Sequence, residues 1–190
     1  MSPKTKFSIT TIWILFSRFY DAYCTYKYTP NLSKEANPLV TMLGMSWTPL
    51  IITIGLLTVY TIYVYSIRVF KPIDLFPSEK EYSFGYFLGY TYLGHKEPWT
   101  SIFYKFPKDI HRFNQWMGLT LPQCVAFAGI VSTAMWLLIN YTQAYKEMHS
   151  ATLVYSILIV GCIVINYHYS KKMYRTYLNS TNVISKDPHC

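Results

Sequence analysis

Residues 18–25 read Arg-Phe-Tyr-Asp-Ala-Tyr-Cys-Thr, and residues 35–40 read Glu-Ala-Asn-Pro-Leu-Val. The first segment lies inside an apolar run extending from about Phe7 to about Tyr26. An arginine or aspartate at the centre of a lipid-spanning helix costs roughly 2.5–3.5 kcal/mol on insertion scales. A run that keeps both is either outside lipid or gives each charge a partner, so the reading of Arg18 and Asp21 decides the fold. On a helix, Ser17, Arg18, Asp21, Cys24 and Thr25 fall on one polar stripe. Arg18 and Asp21 are close enough along that stripe to pair directly. The expectation is a membrane span whose polar stripe faces other helices, because lipid offers no partners.

The composition supports lipid as the solvent. Hydrophobic residues make up 52% and charged residues 14%, against about 25% charged in ordinary soluble domains. Aromatics reach 18%, including 19 tyrosines, the amphipathic usage found at membrane–water boundaries. Four runs approach the roughly 20 apolar residues that a bilayer requires: 7–26, 47–70, 119–141 and 151–169. Thirteen of the 17 basic residues lie before the first run, from the last turn of the second run to the start of the third, or after the fourth. The positive-inside rule then places both termini and the central loop, residues 71–118, in the cytosol. Lys4 and Lys6 ahead of an apolar run resemble a signal peptide, but a small-residue cleavage site is missing, so a retained first helix is expected. The expected fold class is therefore all-α: one membrane domain over residues 1–190, a bundle of four transmembrane helices.

The central loop is more than a linker. Pro72, Pro77, Pro98 and Pro107 divide it. Residues 84–93 are apolar but short and rich in glycine and tyrosine, which favours a re-entrant or interfacial segment over a fifth crossing. Ile102, Phe106, Ile110, Phe113 and Met117 recur at helical spacing, while Lys105, Lys108 and Arg112 lie off that stripe. This predicts an interfacial helix, broken or restarted at Pro107, with its basic residues toward anionic headgroups.

Soluble-enzyme motifs are missing: there is no phosphate-binding loop, dinucleotide fingerprint, His-Glu-x-x-His or Gly-x-Ser-x-Gly. The four cysteines have no Cys-x-x-Cys spacing and read as small buried hydrophobes, and no metal motif is visible. The net charge of +8 follows topology and forms no nucleic-acid motif, so nucleic acid is not an expected partner.

Function therefore rests on the polar stretch. The loop after the first run can fold back, bringing Glu35 and Asn37 beside Arg18, Asp21 and Thr25. Asp21, Thr25, Glu35, Asn37 and Pro38 together resemble an Asp-x-x-x-Thr and Glu-x-Asn-Pro pattern in a group of small bacterial and archaeal multi-pass membrane proteins of unknown function. That resemblance covers the first two runs and their loop, and implies a bacterial inner (plasma) membrane. It brings no reaction or cofactor with it. Three readings stay open: a binding or scaffold component with an outward-facing polar site, a lipid-modifying or intramembrane acid–base enzyme, and a subunit of an oligomeric pore or membrane-perturbing effector. The lipid bilayer is the expected partner, with other membrane subunits or a second copy of the chain as further candidates.

Overall fold

Local signals set the helix ends. The computed structural model describes residues 1–32, 37–79 and 82–184. α1 (Pro3–Tyr28) starts where the Ser2 side chain accepts a hydrogen bond from the Thr5 amide, with Pro3 in the first turn. α2 (Pro38–Thr41) is one turn capped by Asn37, whose side chain accepts from the Leu39 amide. α3 (Trp47–Phe70) and α4 (Phe84–Leu93) follow, and Gly94 closes α4 in the left-handed region at φ 84°. A 3-10 turn (Trp99–Phe103) leads to α5 (Ile110–Tyr141), then α6 (Gln143–Met148) and α7 (Ala151–Ile184).

The chain is all-α among the described residues, and α3, α5 and α7 are each long and apolar enough to cross a membrane. α1 is of spanning length, but Arg18 and Asp21 interrupt its apolar run. α5 is the central helix: α1, α3, α4 and α7 all pack against it. The closest approaches fall at glycines. A Cβ on Gly118 would lie 2.2 Å from the Val64 carbonyl oxygen on α3, and one on Gly129 would lie 2.3 Å from Ser17 Oγ on α1. Small residues at such points let helix backbones come together where lipid supplies no hydrophobic drive. Trp13 Nε1 adds a hydrogen bond to the Ala126 carbonyl, at 3.0 Å, between α1 and α5.

Two departures from the sequence expectation concern the central loop and the last helix. Residues 102–117 are divided between a 3-10 turn and the start of α5, with the break spanning Pro107. Ile102 lies in the 3-10 turn, Phe106 in an irregular segment, and Ile110 and Phe113 in the first turns of α5. The physical reason is Asp109, whose side chain accepts hydrogen bonds from the His111 and Arg112 amides and starts a helix running unbroken through Pro122 to Tyr141. Phe113 packs edge-on against Tyr92 of α4. Arg112 stacks over Tyr90 and donates to the Leu75 carbonyl, so both side chains face protein. Phe106, Lys108 and Ile110 are exposed, and Lys105 pairs with Glu97. α4 has 10 residues, about 15 Å, half of what a crossing needs.

α7 also outruns its expected end at residue 169, because Met173 and Tyr177 have a core to enter. They join Leu75, Tyr82 and Phe87 in a buried cluster with the loop before α4. Tyrosine hydroxyls satisfy that loop's backbone: Tyr177 donates to the Glu79 carbonyl at 2.8 Å, and Tyr174 donates to the Tyr82 carbonyl at 3.0 Å. The molecule thus has an apolar end and an aromatic end, with α5 and α7 running through both.

Candidate functional site

A cavity of about 500 Å³ lies among α1, α3, α5 and α7 toward the α1 C-terminus. Most of its wall is aliphatic, from Leu50, Ile54 and Val59 on α3, Ile139 on α5, and Val154 and Leu158 on α7. Its polar groups include Arg18, Asp21 and Thr25 of α1, Asn37 before α2, Thr58 of α3, Ser132 and Trp136 of α5, and Tyr155 of α7. That volume suits a small ligand, and mostly apolar walls with a few fixed polar groups are the usual make-up of such sites.

The structure brings together four of the five residues expected from sequence, Arg18, Asp21, Thr25 and Asn37. Glu35 lies outside the described residues. Asp21 is the one carboxylate among the described lining residues, so no pair of carboxylates assembles among them. His149 also lines the cavity, and no cluster of metal-ligating side chains is present among the described residues.

The expected polar stripe forms and points inward. Ser17 and Cys24 are buried, and Arg18, Asp21 and Thr25 are half-buried. Arg18 and Asp21 form an ion pair too long for a hydrogen bond, with Arg18 Nη1 3.8 Å from Asp21 Oδ2. Each charge is held instead by α5. Arg18 Nη2 donates to Ser132 Oγ at 3.2 Å, and Trp136 Nε1 donates to Asp21 Oδ1 at 2.8 Å. Ser132 and Trp136 are one turn apart, so one face of α5 reads the charges one turn apart on α1. Arg18 Nε is buried without an acceptor among the described residues. A guanidinium carries five donors and cannot lose its proton, and Arg18 lines the cavity.

Ser132 and Trp136 were not legible from sequence. Both sit in an apolar run where only the position of α1 shows which face is polar. Comparison with models of protein families, with curated proteins and with solved structures finds no match. The reading of the site therefore rests on its geometry.

Proposed function

We propose that this chain is an integral membrane binding protein of four spans whose cavity holds an elongated, mostly apolar small molecule with a hydrogen-bond-accepting head against Arg18. The observation that carries the reading is an arginine, one of its donors unpaired among the described residues, lining a mostly aliphatic cavity that holds a few other polar groups. In lipid an under-satisfied guanidinium is costly unless an acceptor meets it. An anionic or carbonyl head would meet Arg18 while the body lies against α3 and α7.

α1 as the fourth span is supported by its outer face. Ile9, Ile12, Phe16, Phe19, Tyr23 and Tyr26 form an exposed apolar stripe, opposite the residues that pair with α5. A helix that shows lipid a continuous apolar face and turns its charges inward is compatible with the bilayer. The positive-inside rule then sets both termini and the aromatic end in the cytosol and the cavity toward the outer side. The Asp-x-x-x-Thr and Asn-Pro elements that carry the resemblance to small bacterial and archaeal membrane proteins contribute Asp21, Thr25 and Asn37 to this cavity. On that resemblance the membrane is a bacterial inner one.

The test is mass spectrometry of material extracted from protein purified in a mild neutral detergent. Wild-type protein should carry a bound molecule with a polar head. Arg18→Met should lower its occupancy at least about tenfold, the equivalent of one charge-assisted hydrogen bond of roughly 1.5–3 kcal/mol. Equal occupancy in both proteins would overturn the role of Arg18, and a cavity found empty in wild type would overturn the reading.

A further inference from the structure

A second cavity, of about 480 Å³, opens at the other end of the helices. Its basic residues come from three separate elements: Lys6 from the first turn of α1, Arg68 from the last turn of α3, and Lys172 from the extension of α7. None of the three side chains makes an ion pair or hydrogen bond among the described residues. Tyr169 and Thr176 add hydroxyl groups to the lining, and Asp74 is the one carboxylate among its described residues. Asp74 is turned toward its own loop, accepting from the Phe76 amide at 2.9 Å. Its charge lies near Arg68 without reaching salt-bridge distance. Three cations against one anion give the described lining residues a net charge of +2.

The level of this cleft is as informative as its charge. On α7 the exposed aliphatic stripe runs through Ile163 and Val164 to Tyr167 and then gives way to Lys171 and Lys172. On α3, Arg68 lies just before the exposed Phe70, where the helix ends. The cleft therefore sits where the apolar surface stops, at the depth of lipid headgroups. Surface lysines scattered over a soluble face carry no such information. Here, cations from three helices meet around one concavity at the boundary. Basic pockets between spans on the cytoplasmic side are the arrangement that recognises anionic headgroups.

We propose that the cleft formed by Lys6, Arg68 and Lys172 binds a phosphate-bearing anion, supplied by the headgroup of an anionic lipid. The phosphate oxygens take donors from Arg68 and the two lysines, and the acyl chains pass down the aliphatic surface of α7. Arg68, half-buried and attached at the end of a packed helix, fixes the position. Lys6 and Lys172 close over the anion from opposite sides. The proposal does not rest on what occupies the cavity at Arg18, since the two share no lining residue.

Native mass spectrometry of the full chain in neutral detergent tests this, with phosphatidylglycerol and phosphatidylcholine offered at equal concentration. Wild type should retain phosphatidylglycerol in preference. Lys6→Gln and Lys172→Gln should each lower that preference roughly fivefold. Both lysines are exposed, so these changes leave the packing intact. Asp74→Asn keeps an acceptor for the Phe76 amide, removes the opposing charge, and should raise the preference. Equal retention of the two lipids by wild type, or a preference unchanged in both lysine variants, would overturn the proposal. Inorganic phosphate, offered alone at millimolar concentration, separates the sources. Protection from thermal unfolding by phosphate without retention of phosphatidylglycerol would assign a free phosphate and overturn the lipid. Retention of the lipid without protection by phosphate supports it.

Discussion

Replacing Asp21 with leucine removes two contacts of unequal weight. The first is the hydrogen bond from Trp136 Nε1 at 2.8 Å. A bond to a charged acceptor contributes about 1.5–3 kcal/mol in soluble proteins. Interhelical bonds in membranes average about 0.6 and reach about 1.7 kcal/mol. The second contact is Arg18 at 3.8 Å, with side chains 22% and 31% exposed. At that separation and exposure the ion pair adds no more than about 1 kcal/mol, and Arg18 keeps Ser132. Asp21→Leu should therefore cost about 2–3 kcal/mol, most of it through Trp136. That is less than the roughly 3–5 kcal/mol for breaking a fully buried pair. Asp21→Asn preserves an acceptor for the indole and should cost under about 1 kcal/mol. Unfolding in mixed micelles, followed by loss of helical circular dichroism, measures these differences. A double-mutant cycle of Asp21→Leu with Trp136→Phe should return a coupling of about 1–2 kcal/mol. Equal costs for the leucine and asparagine variants, or a coupling near zero, would refute the assignment of Asp21 to α5. Restoration of stability by Arg18→Met in the Asp21→Leu background beyond about 1 kcal/mol would show that the ion pair, rather than the indole, dominates.

Gly118→Ala places a methyl 2.2 Å from a backbone oxygen of α3, whereas the same change at Gly161 meets the Phe127 ring at 2.1 Å. A ring can rotate and a packed helix cannot, so Gly118→Ala should cost about 1–3 kcal/mol in the same unfolding assay and Gly161→Ala clearly less. The 3-10 turn is pinned by Glu97, whose carboxyl the Lys105 ammonium, and after it the Ser101 hydroxyl, hold below the usual range. Its hydrogen bond with Glu97 holds the Lys105 ammonium above its usual range. The carboxylate's contribution is full above the ordinary glutamate pKa and is lost only as pH falls through the lowered value. The ammonium's contribution is full below the ordinary lysine pKa and is lost as pH rises through the raised one. Amide exchange at Ser101 and Lys105, corrected for intrinsic pH dependence, should stay protected from neutral pH into the acid range below ordinary glutamate. Protection already lost within the ordinary range, or unaffected by Glu97→Gln, would refute the pin. Cysteines placed at the exposed Met42 and Lys108 should react with a membrane-impermeant maleimide from opposite faces of sealed vesicles, and labelling from one face would overturn the orientation.

The helical period made the inward face of α1 legible because Ser17, Arg18, Asp21, Cys24 and Thr25 are polar among apolar neighbours. The same period did not show where the helix begins at 102–117. Side chains spaced by three and four look like one stripe whether or not the backbone between them is helical, and only the Asp109 cap shows where the helix starts. Ser132 and Trp136 were hidden for the opposite reason. In an apolar run with few polar residues, a serine and a tryptophan one turn apart acquire meaning only once Arg18 and Asp21 stand opposite them. Met173 and Tyr177 were passed over because the basic residues around them read as the end of a span. Their partners, Leu75, Tyr82 and Phe87, lie some 90–100 residues away in sequence, beyond the reach of any local pattern.

α7 has 34 residues, about 51 Å of unbroken rod. Its first turns supply Ala151, Val154 and Leu158 to one cavity, and its later turns supply Tyr169, Lys172 and Thr176 to the other. With no proline along its described length, the rod has no hinge at which a tilt could be absorbed. A 5° tilt about Gly161 moves the start of α7 by about 1 Å and its far end by about 3 Å in opposite directions, as the 1.5 Å rise per residue dictates. Widening the cavity at Arg18 by leaning α7 outward would thus press Lys172 and Tyr177 inward at the far side. The two compartments are the two arms of one lever, and its fulcrum is the contact of Gly161 with Phe127 on α5.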